Sequence, residues 1–307
     1  LDSTFRAVSP GGGVVSYMEP TFSMIPIFAR MNGLESVAVS WKEAEEDPMR
    51  LLGTGVGETT DTGTGNTTDT GTGSGLETEI DAKPDAVYVC APNNPTGLVP
   101  RKGWMEELLE AVGDDGPVVL LDEAYAEFAD ESWLARAPET RRLLVLRTLS
   151  KAFGLAGLRI GYAVGPAEVI AEVEKSRGPY KVGRIDEEAA VQALRAPSDW
   201  IDDIVRQTRE NRTRLIGELD DRMFRPLPSQ GNFVFLPVGP RTTDEVTAKL
   251  RERGVAVRPF PDVPELGDAV RVTIGPWDML ERFLDALDEV IPSGGVPASA
   301  GSGGSGS

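Results

Sequence analysis

The stretch Pro117-Val118-Val119-Leu120-Leu121-Asp122-Glu123-Ala124-Tyr125 governs how the rest of the chain is read. Residues 117–121 are apolar without the alternation of a half-exposed strand. They predict a strand buried on both faces, as in parallel sheets. The run stops at Asp122, and a carboxylate at the end of a buried strand is costly unless something pairs with it. Tyr125, three residues on, can bring its hydroxyl to the same partner. Taken alone, the two residues read equally well as a helix cap and a packed tyrosine.

Outward from this strand the pattern alternates. Strands are predicted over Val14–Met18, Ser36–Ser40, Ala86–Cys90, Leu143–Leu146 and Arg159–Val164, and helices over Leu1–Val8, Ser23–Asn32 and Lys102–Val112. Strands separated by helices imply an α/β unit, a mostly parallel sheet with helices on both faces. Ligands of such sheets sit at the carboxyl ends of the strands. From Ala167 the sequence turns helical, with a long charge-laced helix over Asp199–Asp221. Strands over Asn232–Pro237, Val255–Arg258 and Ala269–Ile274 then alternate with helices over Thr243–Arg253 and Met279–Ile291. We expect a large domain over residues 1–195 and a smaller α+β domain over 196–292. Residues 53–76 are almost entirely Gly, Thr and Asp and predict a disordered insertion. Their aspartates are too sparse for a calcium-binding repeat. Residues 293–307 read as a flexible Gly/Ser tail.

Composition removes whole classes of chemistry. The 307 residues include no histidine, so a Ser-His-Asp triad, a Cys-His pair and a histidine metal site are excluded. Carboxylates, lysine, tyrosine or a borrowed cofactor remain. The net charge of -18 disfavours nucleic acid and anionic membranes as partners. A single cysteine, Cys90, excludes an intramolecular disulfide, and no apolar run is long enough to span a bilayer. These features predict a cytoplasmic location.

The residues that stand out fall at strand ends. Asn93-Asn94-Pro95-Thr96-Gly97 follows one strand and fits a plain Asn-Pro turn as well as a ligand loop. Lys151 follows another, within Arg147-Thr148-Leu149-Ser150-Lys151. A lysine becomes a useful nucleophile only when burial or cationic neighbours lower its pKa; otherwise it is a solvated loop lysine. Thr148 and Ser150 supply hydroxyls beside it. Arg159, eight residues on, suits a phosphate or a surface ion pair. Together these make an inventory of nucleophilic lysine, buried carboxylate, amide and phenol, and an anion grip in one α/β unit.

Three segments carry a resemblance. They are Ala91 to Gly97, Asp122-Glu123-Ala124-Tyr125-Ala126-Glu127-Phe128, and the long run from Arg147 through Ser150-Lys151-Ala152-Phe153-Gly154 to Tyr162. The chain resembles the fold type I class I/II aminotransferases that use pyridoxal 5'-phosphate, and among them the histidinol-phosphate aminotransferases. The resemblance covers about Leu1 to Ile291 apart from the insertion. It implies an aspartate aminotransferase-like fold and a homodimer. It implies that Lys151 holds the cofactor through a Schiff base and moves the substrate proton, and that Asp122 pairs with the pyridine nitrogen. Asn94 and Tyr125 would hold the ring oxygen. Phe22 would stack on the ring in place of the tyrosine usual in the family. Thr148, Ser150 and Arg159 would bind the phosphate. Arg271, Arg258 and, more loosely, Asn232 would meet the amino donor and a phosphorylated keto substrate. Both arginines also fit a solvated strand face. The family normally has a further N-terminal segment, including a small-residue loop at the phosphate, so the resemblance also implies a truncated chain. Three alternatives stay open: another class I/II aminotransferase, a pyridoxal-phosphate decarboxylase of an amino-acid phosphate, or a non-catalytic remnant.

Overall fold

Cys90, Asp122 and Leu146 stand side by side across three hydrogen-bonded strands, and this alignment organises the molecule. The structure is a computed structural model and describes residues 1–53, 83–196 and 199–291. The low-complexity stretch from residue 54 onward and the Gly/Ser tail lie outside the described residues.

The first elements are α1 (Asp2–Val8), β1 (Gly13–Glu19), α2 (Ile25–Met31), β2 (Leu34–Ser40) and α3 (Trp41–Glu46). They are followed by β3 (Ala86–Cys90), α4 (Trp104–Val112), β4 (Val118–Asp122), β5 (Leu143–Thr148) and β6 (Gly161–Val164). These strands form one sheet in the order β2-β1-β3-β4-β5-β6. The first five run parallel, and β6 alone is antiparallel to β5. The reason is the connection. Residues 149–160 contain only one short 3-10 turn, Ala156–Leu158, whereas a parallel return needs a longer crossover. Successive side chains of the central strands point to opposite faces. Val87, Val89, Val119, Leu121 and Val145 pack under Trp104 and Leu108 of α4. Tyr88, Cys90, Leu120, Leu144 and Leu146 pack with Phe5 of α1 and Ile25 of α2.

Next come α5 (Ala167–Arg177), α6 (Arg184–Arg195), α7 (Asp199–Asp221), β7 (Phe233–Pro237), α8 (Thr243–Glu252), β8 (Arg258–Val263), β9 (Gly267–Thr273) and α9 (Trp277–Val290). The last three strands form a separate antiparallel sheet in the order β7-β9-β8. Its own core gathers Leu215 and Leu219 of α7, Leu250 of α8 and Phe283 and Leu287 of α9. The strand expected over Val255–Arg258 instead begins at Arg258. Pro259 and Pro261 lie within it, and they are tolerated because β8 is an edge strand with a register irregularity after Phe260. Among the described residues no helix is long and apolar enough to cross a membrane.

Candidate active site

Two adjoining cavities open where the parallel strand ends face the antiparallel sheet. The smaller, about 240 Å³, is lined by Phe22, Asn94, Asp122, Tyr125, Lys151, Arg258, Phe260 and Arg271. The larger, about 750 Å³, shares Phe22, Asp122 and Lys151 and continues past Thr148, Ser150 and Arg159. Every residue singled out from the sequence borders one of the two except Asn232. That residue sits just before β7, where its carbonyl accepts a hydrogen bond from the Ile274 amide at 2.9 Å, and it lines neither cavity.

Asp122 is held from both sides. The Tyr88 hydroxyl donates to its Oδ2 at 2.8 Å, and the Ala124 amide donates to its Oδ1 at 3.0 Å. Burial raises its pKa, and these two bonds, followed by the positive charges of the Leu1 amino terminus and Lys151, oppose the rise. Among the described residues no arginine or lysine lies within ion-pair distance of it. A buried carboxylate in that condition is a seat for a cation.

Lys151 stands on a tight turn that begins where β5 ends. The Leu149 amide donates to Ile160 O at 3.1 Å, the Leu155 amide to Leu149 O at 2.9 Å and the Gly154 amide to Lys151 O at 3.0 Å. Gly154 adopts φ +68, which a side chain would resist. Lys151 Nζ lies 5.0 Å from the Tyr125 ring centroid. Burial lowers its pKa below the ordinary lysine value, and Arg271 and Arg159 push the same way against Asp122. More of the amine is therefore neutral and nucleophilic than in a solvated lysine.

The turn divides the hydroxyls. Thr148 Oγ1 donates to Ile160 O at 3.3 Å and accepts from the Ser150 amide at 3.1 Å, so it shapes the turn. Ser150 and the exposed Arg159 are left as donors toward the larger cavity. Arg159 takes the left-handed conformation at φ 55, unusual for a residue with a Cβ.

The substrate-facing wall comes from the small sheet. Arg258 and Arg271 sit directly opposite each other on β8 and β9. Like charges in that position repel, so the pair favours an anion between or beside them. The Arg271 Nη1 donates to Asn94 Oδ1, leaving the Asn94 amide nitrogen as a donor, and its buried Nε has no partner. The Arg271 guanidinium carbon lies 4.8 Å from the Phe233 ring centroid. Tyr125 meets the same ring edge-on at 5.0 Å. Burial pushes the Tyr125 hydroxyl up to about 12, so it remains a proton donor at neutral pH. This constellation supplies a nucleophilic amine, a seat for a cation, neutral donors and a grip for anions.

The sequence pattern of the family described as aminotransferase class I and II matches residues 1–287. The chain belongs to that family. One relative of this aminotransferase chain is the aromatic amino acid aminotransferase of Streptomyces coelicolor, 33% identical over 92% of the chain and 71% of the relative. Another is the histidinol-phosphate aminotransferase of a Thermoanaerobacter species, 31% identical over 91% of the chain and 72% of the relative. Among solved structures, histidinol-phosphate aminotransferase from Sinorhizobium meliloti in complex with pyridoxal-5'-phosphate superposes with a TM-score of 0.76. It is 25% identical and covers 94% of this chain and 73% of that one. The fold is the aspartate aminotransferase-like fold of the family.

Sequence reading missed two features of the aminotransferase site. Tyr88 sits among apolar neighbours and looks like any core residue; the signal is a phenol, which needs a partner, in a fully buried strand. The other is a buried ion cluster beside the larger cavity. Arg147 meets Glu123 at 3.3 Å and Glu127 at 2.9 Å, so two carboxylates share one cation. Burial raises both carboxyls. A raised folded-state pKa contributes stability that is present below the unfolded value and lost as pH rises through the folded one. Glu127→Gln should therefore raise the melting temperature by about 2–4 °C at about pH 8 and change it little near pH 5. Thermal melts at the two pH values check this; an equal shift at both refutes it.

Proposed function

We propose that the chain binds pyridoxal 5'-phosphate in the two adjoining cavities and catalyses transamination. The buried Asp122 carboxylate, open to the cavity and with no arginine or lysine in ion-pair distance among the described residues, carries this reading. The donor set around it fits the cofactor. Lys151 Nζ is the attachment point, Asp122 keeps the proton on the pyridine nitrogen, and Asn94 Nδ2 and the Tyr125 hydroxyl donate to the ring oxygen. Phe22 covers one ring face, and Ser150 and Arg159 grip the phosphate. Thr148 supports them by holding the turn. When bound, the cofactor supplies an aldehyde carbon that carries the amino group and a ring that accepts electron density. Lys151 Nζ would hold the cofactor and would take up and release the proton that leaves the substrate Cα. Its pKa, held below the ordinary lysine value, leaves more of it free to accept that proton. Titrating the protein with pyridoxal phosphate should raise an absorption band near roughly 420 nm. A protein that gives no band refutes the reading.

For substrates we propose glutamate as donor and imidazole-acetol phosphate as acceptor, giving histidinol phosphate and 2-oxoglutarate in the reaction of histidine biosynthesis. The facing Arg258 and Arg271 support this, because both half-reactions then present an anion to the same pair. A second reading is an aromatic amino acid donor. The phenylalanines at the cavity, Phe22 and Phe260, favour it, since they suit a flat ring. Arg258→Ala separates the two. On the first reading kcat/KM for histidinol phosphate falls by about 10- to 100-fold, the worth of a hydrogen bond to a charged group, while phenylalanine is spared. An equal loss for both favours the aromatic reading.

We further propose that residues 1–195 hold the cofactor and residues from 196 onward present the substrate grip, in a cytoplasmic homodimer. Support for the dimer comes from one stretch of the chain. Tyr180 is 100% exposed, Ile185 83% and Trp200 58%, and of helix α6 only Ala190 is buried. Large exposed apolar side chains suit an interaction surface, and two-fold dimers are the commonest assembly. Light scattering should give twice the chain mass, and Ile185→Asp should shift it toward one.

A further inference from the structure

Arg212 lies midway along α7 and is 8% exposed. It faces no carboxylate within ion-pair distance among the described residues, and burial holds its guanidinium below the ordinary arginine range, with Arg209 adding to the effect. Its Nη1 donates to two backbone carbonyls, Phe128 O at 3.2 Å and Gly231 O at 2.8 Å. Phe128 ends the short turn that begins after Tyr125, and Gly231 precedes Phe233 by two residues. One nitrogen thus ties together the backbones that carry the edge-on Tyr125–Phe233 pair. Its helix neighbours add parallel ties. Arg209 Nη2 donates to Ala129 O, and Asn211 Nδ2 donates to Gly275 O at 2.9 Å, four residues past Arg271. Tyr125, Phe128 and Phe233 also share a small apolar cluster with Ala152, the residue after Lys151.

Burying an unpaired cation is expensive, and apolar packing of similar volume would stabilise the junction at lower cost. What a planar guanidinium adds is a fixed geometry between two acceptors. We propose that Arg212 is a positioning residue for the active site: it sets the spacing between the wall that carries Tyr125 and Lys151 and the wall that carries Phe233 and Arg271. The kinetic side of this proposal rests on the aminotransferase reading; the binding side does not.

The test uses Arg212→Lys, which keeps the charge but loses the planar fork, and Arg212→Met, which keeps length without donors. Arg222→Met is the control: Arg222 lies just past the end of the same helix, and its ion pairs among the described residues are with Glu218 and Asp288. Calorimetric titration of pyridoxal-free protein with succinate, a dicarboxylate, reads the Arg258–Arg271 grip directly. We expect both Arg212 variants to bind succinate about 10-fold or more weakly and to raise KM for glutamate in proportion, with kcat less affected. Misplacement of about an ångström is enough for losses of this size. Arg222→Met should lower the melting temperature and leave succinate affinity and KM unchanged. Wild-type succinate affinity in a folded Arg212→Lys protein overturns the proposal, whatever becomes of Arg212→Met. So does an equal loss in Arg222→Met, or wild-type protein that binds no succinate. If wild-type protein binds succinate but neither takes up pyridoxal phosphate nor transaminates, the aminotransferase reading fails and the succinate comparison still decides the role of Arg212.

Discussion

Lys151→Ala protein mixed with pyridoxal phosphate shows no band near roughly 420 nm, and its transamination rate falls by about 10⁴-fold or more, the upper end of what a positioned general base contributes. The expectation is this large because Lys151 has two duties and no understudy. Among the residues lining the smaller cavity it is the one primary amine. The other basic side chains lining it, Arg258 and Arg271, carry guanidines and offer no amine to form a Schiff base. Histidine, the usual substitute, is absent from the chain. Arg271 and Arg159 also help to depress the Lys151 pKa, so in wild-type protein the rate of band formation should rise with pH and level off below the ordinary lysine value. A band of wild-type intensity in Lys151→Ala contradicts the assignment.

The second large effect is expected at Asp122. Asp122→Asn keeps the shape and an acceptor for the Ala124 amide, and turns the Tyr88 contact round so that the new amide nitrogen donates to the hydroxyl, but removes the negative charge. Losing one partner of a buried ion pair costs about 3–5 kcal/mol, so kcat should fall by about 10² to 10⁴-fold while the pyridoxal band still forms. Tyr88→Phe grades the same effect. It removes one charge-assisted hydrogen bond, worth about 1.5–3 kcal/mol, and frees Asp122 from the bond that opposes its raised pKa. Its loss of kcat should be smaller and should deepen at acid pH, where Asp122 takes up a proton sooner. Stopped-flow measurement of each half-reaction across pH checks both variants. Equal rates in wild type and Asp122→Asn would sink the proposed role.

Much of this site is legible in the sequence because its residues follow buried strands. The apolar runs before Asn93, Asp122 and Lys151 announce parallel strands, and parallel strands deliver their carboxyl ends to one edge. What is hidden depends on register. Tyr88 reads as core until the sheet places Cys90 opposite Asp122, which brings the Tyr88 hydroxyl alongside that carboxylate. The Arg258–Arg271 pairing is likewise invisible, since the prolines at 259 and 261 argue against a strand there until β8 is known to be an edge. Asn232 differs from the rest. The resemblance implies a substrate contact for it, whereas in the structure it lines neither cavity and its carbonyl accepts from the Ile274 amide. The antiparallel course of β6 depends on what residues 149–160 do not form, and a turn of that kind leaves no periodic signature.

That loop has a mechanical consequence. Leu149 and Ile160 are bonded to each other at its base, so Lys151 and Arg159 ride on one closed piece of backbone fastened to the large sheet, while Arg258 and Arg271 belong to the other sheet. On the proposed reading, the cofactor is clamped at both ends by a single jaw and the substrate by a different one. A reaction in two halves needs the first product to leave and the second substrate to enter without losing what was carried between them. The separation provides for that: the groups that hold the substrate and those that hold the cofactor lie on different pieces of backbone, so releasing one does not require releasing the other.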